Sequence, residues 1–243
     1  MEERQEYLYL LIMNSTQRNN IIVCGDIHGD WGPLNRLIKR EKPEIILQCG
    51  DLGYWPNLSM SGRIKDILNG PTKIYWCDGN HENHWELSLI REEGVSQLEP
   101  NIFYMKRGST LVLPDKRRVL FMGGAASVDR VFRKLGLDWF PDEVISQSDI
   151  EGLPDVDIDI VISHTCPMEI FPRIEEEAIE YYPWFLKMRD PSQEALSYVY
   201  NKYRPPLWYF GHFHMYYKLE YEDTVFTCLD FPGNMDTWWE YLT

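Results

Sequence analysis

The stretch CGDIHGD, residues 24–30, places a carboxylate and an imidazole two positions apart, directly after the apolar run 21–23. In an extended or tightly turning segment, residues i and i+2 project to the same side, so Asp26 and His28 can converge on one point. Carboxylate oxygens and imidazole nitrogens are both ligands of divalent transition metals. The spacing therefore indicates a metal ion as one candidate for that point.

Polar side chains recur at the ends of predicted strands, and every histidine of the chain belongs to this pattern. A single histidine in a turn is more often a hydrogen-bonded structural residue than a functional one. Packing does not explain the whole set, because strand ends favour apolar groups and penalise unpaired polar ones. We therefore interpret the turns as one site built from several strands. The histidines are His28, His81, His84, His164, His212 and His214.

Three apolar runs in the first third of the chain each end in a polar, glycine-containing turn, at residues 21–26, 44–51 and 73–80. Helix-like stretches over 32–40 and 59–68 separate them, so the order βαβαβ predicts a parallel sheet. Ligands of such sheets bind outside the carboxyl ends of the strands, where all three turns fall. The side chains gathered at this edge are Asp26, His28, Asp51 and Asn80.

The rest of the chain predicts a second sheet layer. A helix is predicted over 84–93, followed by short β-like runs near 103–105, 110–113 and 118–122. Buried strands are then predicted within 157–167 and 205–214, which end at His164 and at His212 and His214. The segment 171–191 has prolines at both ends and no clean period, so we interpret it as an insertion or lid, and a helix is predicted to follow it.

Composition limits the kinds of partner. The chain has 243 residues and a net charge of −14, which argues against long nucleic acid or an anionic membrane as partners. The apolar stretch 7–13 is too short to span a bilayer, and the residues before it lack the positive charge of a secretory signal. Five cysteines, three of them in apolar runs, fit a reducing cytoplasm better than a disulfide framework. The sequence therefore predicts a cytoplasmic protein of one domain, and it leaves the oligomeric state open.

The motifs GDIHG, GDLG, GNHE, SHT and GHFH, spread over residues 21–214, occur in the order and context of the calcineurin-like metallophosphoesterases, which the chain resembles. Residues 123–150 are also similar to the middle of bacterial and phage members. The resemblance implies an α/β fold of two packed mixed β-sheets flanked by helices, the αββα sandwich. It implies a single domain over 1–243, with insertions near 124–150 and 171–191.

The resemblance also implies a binuclear metal centre that hydrolyses phosphoesters with a bridging hydroxide as nucleophile. Carboxylate, imidazole and amide ligands suit Mn, Fe, Zn, Ni or Co, of which Mn is favoured, and no thiolate is needed. His81 would stabilise the transition state or protonate the leaving oxygen, and the alternative for it is a hydrogen bond to a ligand. The implied first ion is held by Asp26, His28 and His214, the second by Asn80, His164 and His212, and Asp51 bridges both.

One departure from the family pattern bears on the substrate. The serine/threonine protein phosphatases of this superfamily read G-D-x-x-D-R-G here, whereas this chain reads GDLGYWPN, so that Tyr54 and Trp55 replace an aspartate and an arginine. Two aromatic rings cannot supply the missing charges, but Trp55 can stack on a base or pack under a lid. Arg130 is expected to face a phosphate oxygen.

The sequence thus predicts an enzyme for small phosphodiesters or nucleotide-like substrates, with a small phosphoester as its partner. The alternatives are a serine/threonine-type protein phosphatase, a nuclease on the same fold, or a catalytically silent binding module.

Overall fold

The structure is a computed structural model that describes residues 20–54, 70–90, 95–178, 189–233 and 236–243. In these residues, twelve strands form two six-stranded mixed sheets, with helices on their outer faces. This architecture confirms the predicted αββα sandwich. No helix within the described ranges has the length and hydropathy that crossing a membrane requires.

The first sheet carries the three strands predicted from the early apolar runs. Its strands are β1 (Ile21–Cys24), β2 (Ile45–Gln48), β3 (Lys73–Trp76), β4 (Val95–Glu99), β5 (Ile102–Met105) and β12 (Trp239–Tyr241). Their spatial order is β12-β1-β2-β3-β5-β4. The strands β1, β2, β3 and β5 are parallel, and the edge strands β12 and β4 pair antiparallel with their neighbours. The prediction of a parallel sheet is confirmed.

The second sheet is the layer predicted from the later β-like runs. Its strands are β6 (Thr110–Val112), β7 (Arg118–Met122), β8 (Ile160–Ser163), β9 (Leu207–Phe210), β10 (Tyr217–Tyr221) and β11 (Thr224–Cys228). Their order is β10-β11-β9-β8-β7-β6, with parallel pairing from β7 to β11 and antiparallel edges. Because β8 and β9 lie at its centre, their carboxyl ends can face those of the first sheet.

The alternation of side chains along β1 shows how the layers are built. Ile21 and Val23 pack between the two sheets, where they belong to the same buried cluster as Phe121 of β7. Ile22 and Cys24 point to the opposite face and pack with the helices that cover the first sheet. A strand buried on both faces reads as a continuous apolar run, which is why the sequence pattern identified it.

Local signals set the helices, which are α1 (Trp31–Glu41), α2 (His84–Ile90), α3 (Gln147–Glu151), α4 (Phe171–Ala178) and α5 (Pro191–Tyr203). Asp30 caps α1 by accepting a hydrogen bond from the backbone N of Gly32 at 3.3 Å, and Leu34 and Leu37 are buried under the helix. Asp190 caps α5 in the same way through Ser192, directly before a proline in the first turn.

The segment 171–191, interpreted from the sequence as an insertion or lid, begins with the helix α4, and residues 179–188 lie outside the described residues. Pro172 lies in the first turn, where a missing N–H costs no hydrogen bond, and Ile174 is buried against the second sheet. The predicted helix over 59–68 and the end of the predicted helix beyond residue 90 lie outside the described residues.

Candidate metal centre

The polar turns that follow β1, β2, β3, β8 and β9 bring the predicted ligands together at the carboxyl ends of the parallel strands. Four of these ligands adopt a left-handed backbone, with φ of 49° at His28, 52° at Asp51, 67° at His212 and 50° at His214. This conformation is uncommon outside glycine and costs on the order of 1–3 kcal/mol unless the surroundings hold it. Its concentration at one edge is typical of turns constrained by function.

Two glycines allow the carboxylates to lie against neighbouring turns. A Cβ atom on Gly79 would lie 2.1 Å from Oδ1 of Asp51, and a Cβ on Gly211 would lie 2.0 Å from Oδ1 of Asp26. Any side chain at these positions would displace a carboxylate. Glycine is therefore required before Asn80 and before His212 because the turns pack closely there. Neither glycine has the positive φ that would by itself favour glycine.

The first predicted ligand group is compact. Nε2 of His28 lies 2.9 Å from Nε2 of His214, and Oδ2 of Asp26 lies 3.1 Å from the His214 nitrogen and 3.7 Å from the His28 nitrogen. Donor atoms about 2.1 Å from one cation lie roughly 3 Å from each other. Carboxylate and imidazole donors at this spacing fit a divalent transition metal.

The second predicted group surrounds His164, which is fully buried. Its Nε2 lies 3.1 Å from Oδ1 of Asn80 and 3.4 Å from Oδ2 of Asp51, and its ring packs edge-on against that of His212 at 4.9 Å between centroids. Oδ2 of Asp51 is also 3.7 Å from Nε2 of His28 in the first group. The Asp51 carboxylate thus lies between the two groups, and it forms with Asp26 and His164 a cluster of donor atoms close enough together to hold a cation.

His81 lies at the open side of this centre. Its backbone N donates to Oδ1 of Asp51 at 2.7 Å, its ring packs edge-on against His28, and its side chain is 41% exposed. The ring nitrogen Nε2 is 4.0 Å from Oδ2 of Asp51. The imidazole is therefore beside the ligands and in contact with solvent, where a substrate would arrive.

Two buried side chains, Ser127 and Glu143, orient Asn80, and no motif in the sequence singles them out. The Asn80 amide nitrogen donates to Oγ of Ser127 at 3.3 Å, and this hydroxyl donates to Oε2 of Glu143 at 2.7 Å. Glu143 also accepts from Nε1 of Trp139 at 3.0 Å. Because the amide nitrogen is bound on this side, the amide oxygen faces His164, as a metal ligand must.

Glu82 and Asp78, in the turn that follows β3, are both buried. Glu82 accepts hydrogen bonds from the backbone N of Gly53 at 3.1 Å and of Gly79 at 2.6 Å, which ties two of the turns together. Asp78 binds the guanidinium of Arg107, which also binds backbone carbonyls of residues 142–144. Both carboxylates thus brace the turns and the 124–150 segment.

Of the three residues predicted to bind substrate, the structure describes Tyr54 and Arg130. Tyr54 packs against Trp76, with 6.0 Å between ring centroids, and Trp55 lies outside the described residues. The guanidinium of Arg130 lies over the ring of Trp139, 5.4 Å from its centroid. Arg133, which the sequence did not single out, is the arginine that contacts His81.

The pKa values at the centre are set by burial and by the mutual attraction of two carboxylates, Asp26 and Asp51, and the imidazoles around them. Burial opposes ionisation of both carboxyls, but His164 above all keeps the pKa of Asp26 and of Asp51 below the usual range. Burial likewise opposes protonation of the histidines, yet the carboxylates raise the pKa of His28 to about 9 and of His164 to about 10. Burial and the neighbouring His164 lower the pKa of His212 to about 3. In the metal-free protein, protons on His28 and His164 therefore balance the carboxylates.

We expect the thermal stability of the metal-free protein to fall as pH rises from about 7 to about 10. The folded-state pKa values of His28 and His164 lie above the unfolded value of about 6.5. Their contribution to stability is complete below that value and is lost as pH rises through about 9 and 10. Metal ions compete with these protons, so the rise in Tm on adding Mn²⁺ should grow over the same interval.

Melting curves of chelator-treated protein, with and without Mn²⁺, would check this expectation. The variant His28→Gln is the control, because other groups that titrate at high pH are unchanged in it and its Tm should depend less on pH. A metal-free Tm that stays constant across the interval, or that falls equally in the variant, would contradict the assignment of the protons to these histidines.

Comparison with known proteins gives one family and several structural neighbours. The family model described as calcineurin-like phosphoesterase matches residues 20–216. No curated protein matches the chain. Among solved structures, phosphopantetheinyl hydrolase from Mycobacterium tuberculosis is 11% identical, with 91% of this chain and 95% of that chain covered and a TM-score of 0.53. At this identity the similarity shows the fold alone.

Two further structures are similar with a TM-score of 0.38 each. One is a conserved uncharacterized protein and predicted phosphoesterase from Streptococcus pneumoniae, 11% identical over 89% of this chain and 76% of that chain. The other is GAP50, the anchor in the inner membrane complex of Plasmodium, 12% identical over 86% of this chain and 70% of that chain.

Proposed function

Because the chain belongs to the calcineurin-like phosphoesterase family, we propose that it is a hydrolase that holds two divalent metal ions and cleaves small phosphodiester or nucleotide-like substrates. The observation that carries the proposal is the position of Asp51. Its carboxylate lies within 3.4 Å of His164 and 3.7 Å of His28, which belong to two separate donor groups. A shared carboxylate between two groups is the arrangement that a binuclear centre needs.

For each ion we propose the ligand set that the family resemblance implies. Asp26, His28 and His214 would hold the first, Asn80, His164 and His212 the second, and Asp51 both. Oxygen and nitrogen donors with no thiolate are compatible with Mn²⁺, the favoured ion, and with Fe, Zn, Ni or Co. When bound, two such ions lower the pKa of water and neutralise negative charge on a phosphate group.

The protein's own residues supply the remaining steps. The glycine-lined turns hold the ligands in place, and Ser127 and Glu143 fix the amide of Asn80. His81, partly exposed beside Asp51, is placed to hydrogen-bond a phosphate oxygen or to give a proton to the leaving oxygen. The left-handed turns and the buried braces keep these groups preorganised, which is where such sites gain most of their catalysis.

Phosphodiesters are favoured over phosphoproteins because the block after Asp51 lacks the charged pair of the protein phosphatases. The side chain of Tyr54 packs against Trp76 and cannot replace that charge. The net charge of −14 argues against a nuclease for long nucleic acid. A silent binding module is disfavoured because all seven predicted ligands are retained in the sequence.

A substrate panel tests this proposal. The purified protein, supplied in turn with Mn, Ni, Co, Fe and Zn, would be assayed with bis-nitrophenyl phosphate, cyclic and linear nucleotides, and phosphoserine or phosphothreonine peptides. We expect metal-dependent turnover with the highest kcat/KM for a diester or nucleotide. The variant Asp26→Asn, purified in parallel, controls for contaminating phosphatases. A phosphopeptide turned over about a hundredfold better than every diester and nucleotide, which is about 2.7 kcal/mol of transition-state preference, would overturn the substrate assignment.

A further inference from the structure

Arg133 lies in the 124–150 segment, immediately after a short 3₁₀ helix, Arg130–Phe132. Its side chain is only 8% exposed, whereas Val131 and Phe132 beside it are 75% and 87% exposed. The backbone at Arg133 is extended, with φ −97° and ψ 165°, so the chain leaves the helix at this residue. The guanidinium is therefore turned toward the protein while its neighbours face solvent.

The contacts of this guanidinium separate into a held side and a side that faces the candidate metal centre. On the held side, Nε lies 2.6 Å from Oδ1 of Asp129, and Nη1 donates to the backbone oxygen of Asp138 at 3.2 Å. On the other side, Nη2 lies 2.8 Å from Nε2 and 3.2 Å from Nδ1 of His81. The imidazole of His81 is in turn edge-on to His28, a predicted ligand. One residue thus connects the inserted segment to the edge of the centre.

A comparison with Arg107, a buried arginine that contacts the turn after β3, shows why Arg133 is suited to a ligand. Arg107 is bound by the carboxylates of Asp78 and Asp149 and by three backbone carbonyls, so its role is structural. Arg133 forms an ion pair with Asp129, which is itself 41% exposed, and has a further electrostatic interaction with Glu143. Toward the centre, Arg133 contacts the imidazole of His81, which, unlike a carboxylate, carries no negative charge that would compensate the guanidinium.

We infer that Arg133 binds the phosphate group of the substrate, with the two N–H groups of Nη2 turned to its non-bridging oxygens while Asp129 holds Nε and the backbone oxygen of Asp138 holds Nη1. A guanidinium presents parallel N–H groups that match two phosphate oxygens, and the low exposure of the side chain limits screening by water. A cation at this position also offsets the repulsion that a protein of net charge −14 exerts on an anionic substrate. This inference rests on the proposed phosphoester hydrolysis.

The assignment differs from the sequence-based expectation for Arg130. The two arginines lie three positions apart, but Arg130 is placed over the ring of Trp139 and Arg133 against His81. The pair therefore gives a discriminating comparison, since both substitutions remove one positive charge from the same short segment. Only the variant that removes the phosphate-binding guanidinium should change the affinity for phosphate strongly.

Binding of inorganic phosphate to the metal-loaded protein, measured by titration calorimetry, tests the inference without depending on turnover. In Arg133→Gln, we expect phosphate to bind about 10- to 100-fold more weakly, as loss of charge-assisted hydrogen bonds predicts. Arg133→Lys should recover part of the affinity, because it keeps the charge but not the fork. Arg130→Gln, and the distant control Arg118→Gln at the start of β7, should change it by less than about threefold.

Metal content and melting temperature would be measured for each variant. Phosphate affinity in Arg133→Gln within about twofold of the wild type overturns the inference, as does an equal loss in Arg130→Gln. Loss of metal in both Arg133→Gln and Arg133→Lys would also overturn it, since Arg133 would then support the ligands. Wild-type protein that binds phosphate through Arg133 yet hydrolyses no phosphoester supports the inference and refutes the proposed function.

Discussion

The replacement Asp51→Asn is expected to remove most of the metal from both proposed ion sites and to lower kcat/KM by on the order of 10³-fold. The carboxylate of Asp51 is buried and lies between the ring nitrogens of His164 and His28. Asparagine keeps the size of the side chain and an oxygen that can accept from the backbone N of His81, which now donates to Oδ1. It removes the negative charge that two cations would share, so the substitution isolates the electrostatic contribution.

Elemental analysis after dialysis would give the number of ions per chain in wild type and variant, and turnover of bis-nitrophenyl phosphate would give the kinetic effect. Asp223→Asn, in the exposed turn between β10 and β11, is a matched control that also removes one carboxylate. Two ions retained in Asp51→Asn with unchanged turnover would exclude the bridging role. Loss of a single ion would assign Asp51 to one site and contradict the shared position proposed here.

Much of this centre could be predicted because its parts follow local rules. Continuous apolar runs such as IIVC identified strands buried on both faces, and the glycine-containing turns after them identified the edge where ligands gather. The topology then required the turns after β1, β2 and β3 to be neighbours. The structure places Asp26, Asp51 and Asn80 on these turns, as their positions in the sequence predict.

The supporting residues could not be predicted, because they act through contacts distant in sequence. Ser127 and Glu143 orient Asn80 from more than forty residues away, and no spacing in the sequence marks them. The sequence also does not indicate which of Arg130 and Arg133 faces the candidate metal centre. Residues three apart share a face in a 3₁₀ helix, but the chain becomes extended at Arg133, so the two guanidiniums reach different partners.

The second large expected effect is that of His81→Ala, which should lower kcat on the order of 10²–10⁴-fold while both ions stay bound. Its imidazole is partly exposed beside Asp51 and His28, so it can reach a substrate that the centre binds. If it protonates the leaving oxygen, the loss should be large for poor leaving groups and small for nitrophenolate, which departs without a proton. The measurement is kcat for a series of esters with leaving groups of increasing pKa.

Two controls separate the roles open to His81. Because its Nε2 lies 4.0 Å from Oδ2 of Asp51, within the same cluster as His28, a ligand role predicts that His81→Ala loses an ion, and such a loss would refute the assignment. His81→Asn keeps a hydrogen-bond donor but cannot transfer a proton near neutral pH. Recovery of activity in His81→Asn with every leaving group would show that hydrogen bonding to the phosphate is sufficient. Equal losses in both variants that grow with the leaving-group pKa would show that the proton itself is required, because only histidine of the three residues can supply it.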